Sequence, residues 1–571
     1  MAKKSDETAV DPTQHQPMSC ANGKASSLFN PSPGLQVTHN YDLMHSIFTQ
    51  ARGRFGMGMS TSEFASLLRV NRNFYHILIE YVWESIPSFL PLFRLLPSFA
   101  ERDTGVTLEG LSPNDWVTWN ERGRHIKDVS FQQRCPLEDL PEQLLTQLIS
   151  KSAATPLLPN VRTIWCDHKA VGAIRLLPLA MGPKLRILSV ELRSFIAPMD
   201  CEIPDDWEEE EEDEEILDSA HSLLASAALM ARNLDYLIYL GPLNQPLIHI
   251  LADLQHLTSL DLTYTCIVSL LELSFIGSLS SLKSLSLHTF HRDVDQEDLA
   301  GLKRRNNLPN LRSFSATGSA AVLSAYNTLF APRTLRHYYV IVLTVGDEGF
   351  DCDLVLQDNA ELQGFTVQGH PFAPFLDLHG PWPVESQTRL LDSLEARLPT
   401  LKEIEISNVG ILGEEITGRM RRRLLEHDEN SALTKLYFDI PTGLWTQDHL
   451  SDWSATPQTL FDLALHGCRT IKHLEIHFNS HGFSQSGLPA IPPGFKGHGL
   501  ETLSLITDGM SVHFDLSLSD KIAAAVFLDA LFPSLVRVDA TRGTMNQDWD
   551  EINELVQSYR KKRELGREGR R

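Results

Sequence analysis

Several things are scarce in this chain of 571 residues, and each scarcity removes a class of function. Cysteine is sparse: Cys20, Cys135, Cys166, Cys201, Cys266, Cys352 and Cys468 make seven, none close to another. An odd, dispersed set without a C-x-x-C pair argues against a disulfide framework, a zinc ribbon or a redox dithiol, and points to a reducing compartment, cytoplasmic or nuclear. Apolar runs are short. None approaches the roughly 18 residues that a membrane span requires, so no membrane segment is expected. Positive charge is in deficit: 50 Lys and Arg against 73 Asp and Glu give a net charge of −23. Such a field repels nucleic acid and anionic lipid, so neither is an expected partner.

Signatures of catalysis are missing too. There is no G-x-S-x-G, no G-x-x-x-x-G-K-[ST] and no H-E-x-x-H. The glycine-rich stretch from Pro493 to Gly499 lacks phosphate-loop spacing and runs into an apolar strand pattern at Leu500, so it reads as a loop. The 22 histidines are scattered. The pairs His288 with His291 and His477 with His481 sit at strand ends and read as solvated loop residues without partner ligands. No catalytic residue, metal ligand or cofactor is assigned, and the chain reads as a non-enzyme.

What is present is a repeat. Thirteen times an apolar residue is followed at +3 and +5 by two more. The first positions are Val161, Leu185, Leu234, Leu257, Leu282, Leu311, Leu335, Leu362, Leu401, Leu433, Ile471, Leu500 and Leu535. Most spacings are 23 to 39 residues, and one gap of 49 follows Leu185. That gap holds Asp205 to Glu215, ten acidic residues broken only by Trp207, and marks an acidic insertion over 203–216 that reads as an exposed, self-repelling loop. Proline two residues before the first apolar position, as in Pro309-Asn310-Leu311, ends a helix and extends the chain. Helical spacing fills the intervals at Ala220–Ala231, Pro246–Leu254, Glu385–Leu398, Glu414–Glu426, Gln458–His466 and Lys521–Leu531. One short strand and one helix per unit is the leucine-rich-repeat pattern, so residues 156–545 are expected to form an irregular α/β solenoid, an arc or horseshoe. The units at Leu335 and Leu535 fit the pattern least well.

Flanking segments read differently. Residues 1–34 are polar and Pro-containing, with no apolar core of a secretory signal, and read as disordered. Residues 101–155, with Trp116, Trp119 and a helix around Leu140 to Ile149, read as a connector that caps the first repeat. Residues 546–571 read as a C-terminal helix with a solvated basic tail, Arg560 to Arg563 and Arg570-Arg571.

The block 35–100 has spacings of 3 and 4: Leu43, Met44, Ile47 and Phe48, then Phe64, Leu67 and Leu68, then Phe74, Ile77 and Leu78, then Trp83. These predict packed helices. The order Leu43-Met44-x-x-Ile47-Phe48, then Leu67-Leu68-x-Val70-x-Arg72-x-Phe74, then Trp83, resembles the F-box, a three-helix motif. The stretch Phe93 to Pro97 resembles the Pro-rich segment that follows the motif in fungal, basidiomycete-type F-box proteins with irregular leucine-rich repeats. Three departures stand out: no proline precedes the first helix, Asn71 replaces the usual cysteine, and the loop from Ala51 to Thr61 is long. The resemblance implies a substrate-recognition subunit of an SCF-type cullin–RING ubiquitin ligase. It places Leu43, Ile47, Phe48, Leu67, Leu68, Val70, Phe74 and Trp83 against a Skp-family adaptor and a protein target, of unknown identity, on the repeats. The alternative is a leucine-rich-repeat scaffold with no ligase role, whose helical block is only a cap.

Overall fold

The computed structural model of the protein describes residues 41–52, 61–70, 72–102, 105–108, 112–134, 137, 140, 142–154, 156–192, 210–264, 270–289, 308–330, 333–343, 350, 352–369, 384–407, 432–439, 456–467, 469–477, 483, 487–506, 516–541 and 546–568. These form two compact units that divide between Val82 and Trp83.

The first unit is built from helices α1 (Tyr41–Arg52), α2 (Thr61–Leu67) and α3 (Arg72–Trp83), the last of which crosses the division. Its core is small. Met44 and Phe48, one helical turn apart on α1, are buried with Ile77 and Leu78 of α3, and Leu67, Leu68, Phe74, Tyr81 and Val82 pack around them. Phe48 meets Phe74 edge to face with ring centres 5.7 Å apart, and the Tyr81 hydroxyl donates to the His45 carbonyl at 3.0 Å.

The second unit is organised by one parallel sheet of fifteen strands in sequential order. Its strands are β1 (Ser85–Ile86), β4 (Asp128–Phe131), β5 (Thr163–Cys166), β6 (Ile187–Glu191), β7 (Tyr236–Leu240), β8 (Ser259–Tyr264), β9 (Ser284–Thr289) and β10 (Ser313–Gly318). The series continues with β11 (His337–Val342), β12 (Gly364–Gly369), β13 (Glu403–Ser407), β14 (Lys435–Asp439), β15 (His473–His477), β16 (Thr502–Ile506) and β17 (Arg537–Thr541). A short antiparallel pair, β2 (Phe99–Arg102) and β3 (Gly105–Leu108), stands apart from it. All thirteen repeat units supply strands, including those at Leu335 and Leu535. Chain therefore returns through a helix or loop to the same edge in every repeat, the solenoid arrangement of an α/β open parallel sheet.

Register explains the spacing. The +3 and +5 residues share one face, so Leu260 and Leu262 align with Leu285 and Leu287 and are fully buried. Where the +3 position is enlarged, the +5 position shrinks: Phe314 goes with Ala316, Tyr338 with Val340 and Phe365 with Val367. The three rings stack, with centres 5.9 and 5.6 Å apart and planes 22° and 14° from parallel. The buried Tyr338 hydroxyl donates to Asn327 at 2.8 Å. This trade of volume keeps the core at close packing.

Local chemistry starts the return helices. Asn244 caps Gln245–Asp253 by accepting from the Leu247 amide, Thr456 and Thr459 form a capping box before Pro457–His466, and Ser517 caps Leu518–Leu531. Threonines tie repeat to repeat, as when the Thr258 hydroxyl donates to the Asp235 carbonyl at 3.0 Å and that of Thr434 to the Lys402 carbonyl at 3.0 Å. At the start of the sheet the residues preceding each strand form a backbone ladder: Lys127 donates to Glu84, Arg162 to Lys127, Arg186 to Arg162, and so on to Val536. At the far end helix Asn546–Glu568 lies along β17. Asn553 accepts from the Val538 amide at 3.0 Å, Gln557 donates to the Val536 carbonyl at 2.6 Å, and Trp549, Ile552 and Val556 are buried. Arg563 secures the helix, donating to Asp529 at 2.7 Å and to the Pro533 carbonyl at 3.1 Å, so part of the basic tail is structural rather than merely solvated.

Three expectations are corrected. The sheet starts well before residue 156, because β1 and β4 lie in the ranges assigned to the helical block and the connector. Ile126, Val129 and Phe131 are in fact a further +3, +5 unit, and β1 is only two residues long, too short to show a period. From Trp83 onward the expected F-box block belongs to the second unit: Ile86, Phe89, Leu92, Phe93 and Leu96 lie in its core. Glu210 to Glu215 of the acidic run are helical, within the single helix Glu210–Met230, and residues 205–209 lie outside the described residues. The first turns of that helix hold acidic residues because carboxylates suit the positive end of a helix dipole. Segments 1–34 and 414–426, His291, His481 and Arg570-Arg571 lie outside the described residues.

Candidate functional site

Two surfaces carry the chemistry. The first is on the helical unit. Helix α1 has two apolar pairs, each spaced by four residues, on different faces. Met44 and Phe48 turn inward; Leu43 and Ile47 remain 42% and 41% exposed. Val70, in the turn after α2, is 61% exposed. Leu67, Leu68 and Phe74 are half-buried around the small core, and Trp83 packs against the core of the second unit. Of the eight residues assigned from sequence, then, Leu43, Ile47 and Val70 offer exposed apolar surface, Phe48 is structural, three are divided between both roles, and Trp83 lies in the other unit.

The second surface is the sheet face opposite the buried +3 and +5 residues. Its central row, from Ser130 on β4 to Asp539 on β17, carries the carboxylates Asp261, Glu405, Glu475 and Asp539 and no Lys or Arg. Aromatic side chains punctuate it at Trp165, 43% exposed, Tyr339 and Tyr437. Two hydrogen-bonded networks cross the strands. In one, the Tyr339 hydroxyl donates to Gln368 at 2.8 Å, and the Gln368 amide donates to Glu405 at 2.5 Å. Burial, and then the Glu405 charge, push the Tyr339 hydroxyl above its ordinary pKa.

The other network joins β8, β9 and β10. Ser286 Oγ lies 2.6 Å from His288 Nε2, and His288 Nδ1 lies 2.7 Å from Thr317 Oγ1. Asp261 Oδ1 is 3.9 Å from the same Nε2. Burial pushes the imidazole below its ordinary pKa against the pull of Asp261, and burial pushes Asp261 up against the pull of His288. Tyr236 beside them is raised by burial and by the Asp261 charge. A serine bonded to an imidazole is the first element of an activated nucleophile, but the group on the far nitrogen here is a threonine hydroxyl. A hydroxyl orients the ring without supplying the negative charge that stabilises an imidazolium. The arrangement is a polar cluster in which Asp261 is the acidic member and the ring is held between two hydroxyls. It also corrects the reading of His288 as a loop residue: it lies within β9, on the face it shares with Ser286.

Asp167, His168 and Glu191 place one potential metal ligand each within 4.8 Å of one another. Asp167 is already engaged, since it accepts from the Lys169 amide as a helix cap and lies 2.9 Å from His168 Nδ1. Sequence reasoning missed this group and the Ser286–His288 pair for the same reason. Glu191 joins Asp167 and His168, and Thr317 and Asp261 join the Ser286–His288 pair, only through neighbouring strands, and alternation along β9 (Ser286, His288) was the one signal available. Among the described residues no helix is long and apolar enough to cross a membrane.

No family model matches the chain, and no curated protein matches it. Solved structures do. One is the leucine-rich repeat-containing protein LegL7 from Legionella pneumophila, at 11% identity over 65% of this chain and 90% of that one, with a TM-score of 0.29. Another is a chain of the Rad7 and Elc1 complex in yeast, at 13% identity over 75% of this chain and 88% of that one, with a TM-score of 0.31. A third is the TLR13–ssRNA13 complex, at 13% identity over 68% of this chain and 44% of that one, with a TM-score of 0.27. Likenesses this loose bear on neither partner nor activity.

Proposed function

We propose that this protein is the substrate-recognition subunit of an SCF-type cullin–RING ubiquitin ligase, of the fungal F-box type with leucine-rich repeats. The observation that carries the reading is the second apolar face of α1. Leu43 and Ile47 stay about two-fifths exposed on a unit whose core is otherwise closed by Met44 and Phe48. Exposed apolar pairs at helical spacing are what a partner's groove takes up. The F-box resemblance supplies the partner's class, a Skp-family adaptor. The sheet face, with its acidic row and fixed polar networks, takes the protein target, and the chemistry of ubiquitin transfer belongs to the rest of the ligase.

Pull-down of a Skp adaptor by the full chain tests this. The wild-type chain retains the adaptor, and Leu43→Asp with Ile47→Asp loses it while the repeat region keeps its thermal transition. Failure of the wild-type pull-down favours the second reading, a scaffold without a ligase link. One observation speaks for that reading: Phe89, Leu92, Phe93 and Leu96, part of the block the resemblance covers, are spent on closing the start of the repeat core.

A further inference from the structure

The residue before each strand of the sheet forms one edge of the solenoid. Fifteen such positions, Glu84 to Val536, are linked carbonyl to amide from repeat to repeat. Their composition departs sharply from that of the chain. Lys and Arg are 50 of 571 residues overall but occupy eight of these fifteen rungs. Neighbouring strands lie about 4.8 Å apart, so like charges on adjacent rungs repel, and a row of this kind is costly unless something neutralises it.

Part of the charge is matched within the row. Each acidic rung pairs with an adjacent cation: Glu84 with Lys127 at 3.0 Å, Asp235 with Arg186 at 3.1 Å and Glu501 with Lys472 at 2.6 Å. Hydrogen bonding from Lys472 holds the Glu501 carboxyl below its ordinary pKa. Five cations remain: Arg162, Lys283, Arg312, Arg336 and Lys402. Arg336 has one carboxylate outside the row, Glu361, at 3.4 Å, and Lys402 donates to Gln363 at 3.2 Å. Lys283, Arg312 and Arg336 are consecutive, because β9, β10 and β11 are neighbours. Lys283 and Arg312 are exposed. Among the described residues neither makes a salt bridge.

We propose that this edge is a docking strip for a short acidic segment of a partner polypeptide. Three rungs span about 10 Å, and an extended chain shows side chains on one face every ~7 Å, so two or three carboxylates meet the three cations. Guanidinium groups at Arg312 and Arg336 suit carboxylates because they offer paired donors. Charge also selects the class of partner. A nucleic acid continues past the strip into the field of a chain whose net charge is −23, whereas a short acidic segment ends where the cations end. The proposal rests on the reading of the repeat unit as the target-binding part, and it adds the chemistry of the target.

Fluorescence anisotropy of a labelled tetraglutamate peptide with the full-length chain tests it. The expected result is binding that weakens as salt rises, and that weakens by at least about tenfold in the variant Lys283→Gln, Arg312→Gln, Arg336→Gln. The control Lys169→Gln, Arg232→Gln, Lys561→Gln removes as much charge away from the strip and leaves affinity within about twofold, a change of under ~0.5 kcal/mol. Should the triple variant lose its thermal transition, Arg312→Gln alone serves, with a loss of about threefold expected. No binding of tetraglutamate, equal weakening in strip and control variants, or tighter binding of a ten-nucleotide thymidine strand than of the peptide at the same ionic strength overturns the proposal. Adaptor pull-down reads α1 and not the strip, so failure of one measurement with the other intact identifies which reading has failed.

Discussion

The two units treat apolar surface in opposite ways. In the sheet unit a core side chain such as Leu260 has a counterpart in the next repeat, Leu285, and both are fully buried. Even enlargements are balanced locally, as Phe314 is by Ala316. In the helical unit, α1 divides its apolar residues between an inward pair, Met44 and Phe48, and an outward pair, Leu43 and Ile47. A repeat buries its apolar face against another copy of itself. The three described helices are not repeats of one another, and their surplus, Leu43 and Ile47, stays at the surface.

That contrast is open to attack from both sides. The largest effect is expected where burial is complete: Leu260→Ala should lower stability by about 2–5 kcal/mol, read from thermal or urea unfolding of the full chain. A loss below about 1 kcal/mol would mean that neighbouring repeats collapse onto the space. Next comes Tyr338→Phe, which keeps the three-ring stack but withdraws the donor from buried Asn327. Its cost should be about 1–2 kcal/mol by the same measurement. Leu43→Asp with Ile47→Asp should change stability by under about 0.5 kcal/mol while abolishing adaptor pull-down. If the pair instead unfolds α1, seen as lost helical circular dichroism, the outward face is structural and the contrast fails.

The smallest effect concerns pH. His288 faces Asp261, Ser286 and Thr317, and burial holds its folded pKa below the ordinary value. In the folded state it resists a proton that the unfolded chain takes near pH 6.5, so its contribution to stability declines as pH falls below that value. Asp261, raised by burial, acts oppositely and at lower pH, where the folded state takes its proton first. His288→Gln should therefore flatten the stability profile just below pH 6.5. An unchanged slope would show that the ring is not held neutral.

Periodicity was enough to read the sheet where a unit had three apolar positions in the right spacing, even at Leu335 and Leu535, whose units fit the pattern least well. It was not enough at Ser85–Ile86, where two residues carry no period, nor at Ile126, Val129 and Phe131, where the expectation of a connector masked a complete unit. Helix dipole chemistry outweighed self-repulsion at Glu210, and strand alternation placed His288 beside Ser286. The cationic edge was legible in principle, as Lys283, Arg312, Arg336 and Lys402 each follow the first apolar residue of their unit. Attention to the apolar positions alone passes over it. Contacts between neighbouring strands, such as His288 with Thr317, require the register and are not recoverable from one strand's sequence.

Helix Asn546–Glu568 has one more implication, in the order of events at the ribosome. Strand β17 leaves before the helix that satisfies its Val538 amide and Val536 carbonyl. The 23 residues of the helix must follow it out before the helix can dock. During that interval the newest strand is a bare edge, and an edge of this kind pairs with whatever extended chain is near. The sheet is thus most open to misassembly between the exit of β17 and the docking of the helix, and a chaperone that holds the chain would matter most then.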